Sequence, residues 1–521
     1  MMPNLSQARL RHSQYYLDEL VKADALYQQG RDHSRYGLAL FETEWQNIRK
    51  GYETAVLKTD ECNISAQLCV DFPNVAAALL SLRLHPQENL RWLELALQQA
   101  RRLQQLEGER VTLNHLGSAH IALGNLRQAV TCYEQALVLN REKPDHRAEL
   151  KDIINLGSAH AMLGETHRAV EFYEAGLALA RQLGERLSEG SALGNLGIAY
   201  RNLGRFQQAA SCFDQHLAIA REMGDMHGES AAQGNLGLAY LSLGVWSAAL
   251  AAFMQHLAMT RELGDRMGEC HALGNLGLAH LSLHEVPQAI ALFEQAVTAA
   301  RAIGDRQSEG EYIGHLGEAY AQQGKFEQAI PLYRERLVIA CEVGDRRNVA
   351  FALGDLGRAC FSLGDFRQAI AFHWQQLYLA RQLSDRPSEG AAVGNLGLAY
   401  ARLDEFEQAV QLLTQAASLL HEIGDRQGEA ANLGNLGLAY RASGNLAKAI
   451  ECFERQCAIA LELGDPLGEG NALANLSLVY DALEDRPRAI EQAQLALTIF
   501  VRLEHPHAAL LQVQLAAWQR A

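Results

Sequence analysis

Residue types that could do chemistry are plentiful in this chain, but few are spaced for it. The nine cysteines (62, 69, 132, 212, 270, 341, 360, 452, 457) are odd in number and form no C-x-x-C pair. That spacing favours neither zinc nor thiol–disulfide chemistry, so reduced thiols in a cytoplasmic protein are expected. Among the 19 histidines, His505-Pro-His507 lacks metal spacing, and no H-E-x-x-H occurs. His216 and His256 recur 40 residues apart, but Ala136 and Ala296 hold the same column, which fits histidines in helix contacts. No G-x-S-x-G elbow is present, and Gly324-Lys325 runs into Phe326, so no phosphate-binding loop forms there. The expectation is a chain without enzymatic activity, cofactor or metal. One polar residue type does recur in register: Asn155, Asn195, Asn235, Asn275, Asn395, Asn435 and Asn475. His115, His315 and Asp355 fill the remaining places of that column, which repeats every 40 residues. A primary amide donates one hydrogen bond and accepts another. A row of amides can therefore hold both polar groups of an extended peptide unit, whatever its side chains.

That column sits inside a repeated stretch, GNLGLAY, found word for word at Gly234–Tyr240, Gly394–Tyr400 and Gly434–Tyr440. Gly274–His280 differs only in its last residue. A fixed period of this size is the mark of a stacked repeat protein, in which length adds units rather than one round core. The net charge of −15, with Lys and Arg dispersed over the 521 residues, argues against a nucleic-acid partner. The N-terminus has no apolar h-region, and no apolar run approaches a membrane span. Neither a signal peptide nor membrane insertion is expected.

Ten repeats occupy 111–503, and 186–225 serves as the type unit. Glu185, Asp225 and Asp265 suit helix N-caps, with Glu189, Glu229 and Glu269 adding negative charge in the first turn. A first helix should run to about Leu203 and a second from about Phe206 to Met223. Gly204 and its equivalents (Gly124, Gly164, Gly244, Gly324, Gly364, Gly444) suit the left-handed residue ending the first, and Gly184, Gly224 and Gly264 the second. Leu196, Ala199, Tyr200 and Leu203 form one apolar stripe, and Ala209, Phe213 and Leu217 the other. The Leu196 column is leucine and the Ala209 column alanine in all ten repeats. The Gly197 column is glycine in nine, with Ser477 the exception. Glycine inside a helix costs about 1 kcal/mol relative to alanine, and close approach of the paired helix backbone is the expected reason. Residues 1–60 read as an N-terminal helical cap of two or three helices, 61–110 as a degenerate first hairpin, and 504–521 as a C-terminal capping helix.

The pattern Asn-Leu-Gly-x-Ala-Tyr-x-x-Leu-Gly-x-x-x-x-Ala-x-x-x-Phe-x-x-x-Leu over 195–217 resembles the tetratricopeptide repeat (TPR), in the 40-residue form of Pins-type adaptors and many bacterial proteins. The resemblance implies an all-α fold: a right-handed TPR superhelix of about eleven helical hairpins, with first helices lining the concave face. It also implies a scaffold that binds a peptide or protein segment in that groove. Ser191, Asn195, Ile198 and Asn202 share one helix face, which lines the groove in such proteins. The asparagine row is similar to the array in the TPR superhelix of O-GlcNAc transferase. Alternatively, these asparagines bond within or between hairpins. Neighbouring columns offer apolar patches at Leu238, Leu241, Leu278 and Leu281 and around Leu398 and Leu438. A polar middle comprises Glu318, Arg358 and Asp355. Arg201, Phe361 and Arg441 lie one turn further on, with the arginines too dispersed for one carboxylate clamp. The expected ligand is extended or amphipathic, with two apolar anchors. A homodimer through the solenoid ends is also open. The run His12-Ser-Gln-Tyr-Tyr-Leu17, with Phe41, Trp45 and Ile48, resembles the helices preceding the repeats in STAND-type regulators. It raises a second reading: a ligand-sensing module of a signalling or defence ATPase system. An exposed apolar face on Tyr15, Tyr16, Phe41 and Trp45 would favour that reading, and a packed cap the stand-alone scaffold.

Overall fold

The computed structural model describes residues 5–29, 31–59, 62–142 and 145–520, in 26 helices with no strand among them. The helices fall into two compact units, 1–263 and 264–521. The first holds the N-terminal helices and hairpins 1 to 4. These are Leu106–Ala122 with Leu126–Glu142, His146–Met162 with Thr166–Leu183, Arg186–Asn202 with Phe206–Met223, and Met226–Ser242 with Trp246–Leu263. The second holds hairpins 5 to 10: Arg266–Ser282 with Val286–Ile303, Arg306–Gln322 with Phe326–Val343, Arg346–Ser362 with Phe366–Gln382, Arg386–Arg402 with Phe406–Glu422, Arg426–Ala442 with Leu446–Leu463, and Pro466–Ala482 with Arg486–Arg502. A last helix, His507–Arg520, packs on hairpin 10 through Leu511, Leu515 and Trp518.

The turns follow from the glycines. Gly204 adopts φ +72°, which a residue with a Cβ rarely does, and the Arg205 amide donates back to the Tyr200 carbonyl at 2.9 Å. Aspartates cap the first helices: Asp225 accepts from the Gly228 amide at 3.0 Å, and Asp265 from Gly268 at 2.9 Å. Glu185 does not cap. Its longer side chain instead meets Arg147 at 2.7 Å.

The glycines inside the first helices have a different cause from the expected backbone approach. A Cβ on Gly197 would lie 2.6 Å from the Phe213 ring of the paired helix. The same overlap recurs at Gly237 with Phe253, Gly277 with Phe293, Gly317 with Tyr333 and Gly437 with Phe453. In these hairpins the glycine makes room for a ring; a Cβ on Gly397 would instead meet Leu413, its side chain at 2.6 Å and its backbone nitrogen at 3.2 Å. Hairpin 10 follows the rule in reverse: Ser477 replaces the glycine where Ala493 replaces the ring, and both are buried.

First-turn glutamates, expected only to meet the helix dipole, join neighbouring hairpins. Glu309 is 2 % exposed and is held by Arg301 at 2.7 Å and Arg306 at 2.6 Å. Glu189 is clasped likewise by Arg181 and Arg186. Burial alone would raise the Glu189 carboxyl, but the two guanidinium hydrogen bonds outweigh it and hold it below its usual range.

The N-terminal helices Leu5–Gln28 and Arg31–Val56 pack on each other and on Asn63–Val75. Leu20, Phe41, Ile48 and Phe72 are fully buried, and the Tyr52 and Trp92 rings stack 3.6 Å apart. Tyr16 and Trp45 are half-buried and Tyr15 is exposed. The segment thus buries most of its apolar face on the following helices.

Candidate functional site

The face to consider is set by which helices crowd together. In the first unit, the first helices of hairpins 2 and 3, and of 3 and 4, approach each other; in the second, those of 5 and 6, 7 and 8, 8 and 9, and 9 and 10 do. No successive second helices come as close among the described residues. First helices therefore line the inner side of each stack.

The asparagine column lies on these helices and is half-buried throughout. Its members differ in bonding. Asn155 donates to the Asn114 side-chain oxygen at 3.2 Å, within a buried network in which Asn114 donates to Asp152 at 2.6 Å and Asn140 to its other oxygen. Asn155 therefore bonds within the scaffold. The side chains of Asn195, Asn235, Asn275, Asn395, Asn435 and Asn475 make no hydrogen bond with any described residue. Their amides are half-sheltered and chemically free.

Where the column breaks, charge replaces the amide and is compensated locally. Asp355 accepts from Arg336 at 2.8 Å and from Arg358 at 2.6 Å, and Arg336 also donates to Asn348 at 2.8 Å. Burial pushes the Asp355 carboxyl up against the pull of both arginines. His315 lies 3.9 Å from Glu311 and 3.6 Å from Glu318, and stacks on Phe293. Burial would lower the imidazole, but the two glutamates outweigh it and raise it. Burial, aided by Lys151, drives His115 down to about 4, so it is neutral at neutral pH.

The other expected residues are placed as follows. Leu238, Leu241, Leu278 and Leu398 are half-buried, and Leu438 is 38 % exposed. Leu281 is buried, 6 % exposed, which removes it from the expected surface patch. Glu318 and Arg358 are exposed. Arg201 and Arg441 are half-buried, with no ion pair to any described residue. Arg402 lies over the rings of Phe361 and Phe366, 5.8 and 4.9 Å from their centroids. Three residues of this face had escaped the sequence reading: Glu311, Phe351 and Asn471, four residues before the asparagine column. Phe351 is an exposed ring beside the charged step. Reading the Ser191 column through every repeat would have found them.

The family model for the tetratricopeptide repeat matches residues 108–182, 153–222, 188–262, 228–302, 268–342, 312–375, 348–422 and 428–500. No curated protein sequence matches the chain. Among solved structures, the apo quorum sensor NprR from B. thuringiensis is similar at 14 % identity and a TM-score of 0.47, covering 68 % of this chain and 100 % of that one. Apo RapI aligns at 13 % identity and 0.46, over 53 % and 99 %. BtubC from P. vanneervenii aligns at 19 % and 0.39, over 43 % and 93 %. The family model alone spans well over half of the chain, and the helical hairpins it describes are those seen here: the chain belongs to the tetratricopeptide repeat family.

Proposed function

We propose that this chain is a non-enzymatic protein-interaction scaffold that holds an extended peptide or protein segment against its first-helix face. One observation carries the reading: six asparagines, two in the first unit and four in the second and each at the same place in its hairpin, keep their amides unbonded and half-sheltered. Each could donate to a ligand carbonyl and accept from its N–H, at about 0.5–1.5 kcal/mol net per bond. Recognition of this kind is indifferent to side chains, so selectivity falls to the neighbours. Leu238 and Leu241 offer an apolar anchor in the first unit, and Leu278, Leu398 and Leu438 in the second. Glu318, Arg358 and Asp355 face the polar middle of the ligand. A terminal-carboxylate clamp is disfavoured, because Arg201 and Arg441 stand alone and Arg358 is already paired to Asp355.

A cytoplasmic setting suits the nine free thiols; burial pushes those of Cys212 and Cys452 up to about 11. No single described helix is long and apolar enough to cross a membrane. The packed N-terminal pair favours a stand-alone scaffold. A second reading, the sensor module of a STAND-type system, rests on the exposed Tyr15 and Tyr36 of that pair.

The test is affinity capture from host lysate, comparing the wild type with a variant carrying Asn195, Asn235, Asn275, Asn395 and Asn435 all changed to Ala, once circular dichroism shows the variant folded. A partner held by the wild type and lost by the variant is expected. The same partner held by both would assign the asparagines to the scaffold.

A further inference from the structure

At seven junctions beside the first helices one side chain sits over a glycine. The plug is His216 over Gly194, His256 over Gly234, Arg336 over Gly314, Gln376 over Gly354 and Gln456 over Gly434. Where the second helix offers only Ala296 or Ala416, the next first helix supplies the plug: Tyr312 over Gly274 and Asn432 over Gly394. Residues distant in sequence thus take turns filling one kind of space, as close packing requires. Hairpin 10 has no plug. It carries Ala474 and Ala496 in these columns, and His507 and Gln514 of the final helix line the space without filling it. A cavity of about 300 Å³, open to solvent, remains beside Ala474.

Its lining is chemically specific. Leu478, Phe500, Leu510 and Leu511 give apolar walls, and Asn471, Asn475 and Gln514 bring three primary amides with no hydrogen bond to any described residue. His507 completes the rim, and no carboxylate, ammonium or guanidinium lines it. The volume matches the lower range of ligand pockets. Asn475 is also the last member of the free asparagine column.

We propose that this terminal pocket is a binding site for one uncharged apolar side chain of a peptide, of leucine to tyrosine size, with the flanking peptide groups bonded by Asn471, Asn475 and Gln514. The ligand takes the place that Gln456 or Tyr312 fills at other junctions. This deepens the scaffold reading above and rests on it. An uncharged lining has nothing to offset the desolvation of a charged side chain, so lysine and glutamate side chains are rejected.

The probe is N-acetyl-leucinamide, which joins an apolar side chain to two peptide groups, titrated against the full chain by saturation-transfer NMR. Saturable millimolar binding is expected, in keeping with so small a ligand. Ala474→Met, which fills the cavity from its wall, should abolish it. Leu510→Glu, an exposed change that leaves the packing intact, should weaken it at least tenfold, and Asn475→Ala at least threefold. Leu57→Ala, an exposed change in the N-terminal segment, should leave it unchanged. No saturable binding to the wild type, equal binding of N-acetyl-lysinamide, or retention in the Leu510→Glu variant would overturn the proposal. So would a self-dimer seated on the pocket and dissociated by Ala474→Met. Loss of the probe in Ala474→Met while the five-asparagine variant keeps its partner would leave the pocket standing and remove the ladder; the converse would do the opposite.

Discussion

Hairpins 6 and 7 and hairpins 8 to 10 present the same helix face in the same compact unit, yet they use it differently. In hairpins 8 to 10 the column residue is Asn395, Asn435 or Asn475, half-buried and unbonded. In hairpins 6 and 7 it is His315 or Asp355, half-buried and held by charged partners. The scaffold fixes how deep the column lies, because the leucine column beside it is shared by all five hairpins. Residue type then decides whether the position is committed to the fold or open to a ligand. A buried charge must be paired to be tolerated, whereas a half-exposed amide loses little by waiting.

The comparison can be broken from several sides. The largest effect is expected on the shared scaffold: Phe453→Ala removes a fully buried ring and should cost about 3–4 kcal/mol, measured by urea unfolding. Gly437→Ala alone should also destabilise, by about 1–2 kcal/mol, despite alanine's better helix propensity, because its Cβ meets that ring. Together the two should cost less than their sum, since hairpin 10 already combines Ser477 with Ala493. Next comes the charged step. Arg336→Ala leaves half-buried Asp355 with one exposed partner and should cost about 2–3 kcal/mol, whereas Asn435→Ala should stay within about 0.5 kcal/mol. Equal costs would erase the distinction between the two stretches.

The smallest effect is a pH dependence. The His315 pKa is raised on folding, so its contribution is fully present below its ordinary value of 6.5 and is lost as pH rises through the raised value. Wild type minus His315→Asn stability should therefore shrink as pH climbs from 6.5 through the raised value. A difference flat with pH would show that Glu311 and Glu318 do not hold the imidazolium.

The fold was legible in the sequence because the repeat multiplies each weak signal. The Leu196 column reads as a core in every copy, and Gly204 and Asp225 read as a turn and a cap in most. Glu185 misled, because a carboxylate at a cap position suggests capping whatever its length, while an arginine 38 residues away draws it off. The glycine column was recognised but assigned to backbone contact; pairing it with the Phe213 column of the same hairpin would have shown the ring. Which residues share the candidate face was legible from helical spacing. Its chemistry was not, because hydrogen bonding depends on partners far along the chain. Asn114 claims the Asn155 amide across 41 residues, while Asn195 has no such partner.

The central claim is that the free asparagines of the inner face hold a peptide backbone. Its most direct test is selection of a displayed random peptide library on the wild-type chain. The enriched peptides would then be measured by fluorescence anisotropy against Asn395→Ala, Asn435→Ala and Asn475→Ala combined. The account predicts at least a tenfold loss for peptides of unrelated sequence, with stability unchanged. Equal affinity in the triple variant, or enrichment confined to one side-chain motif, would contradict it.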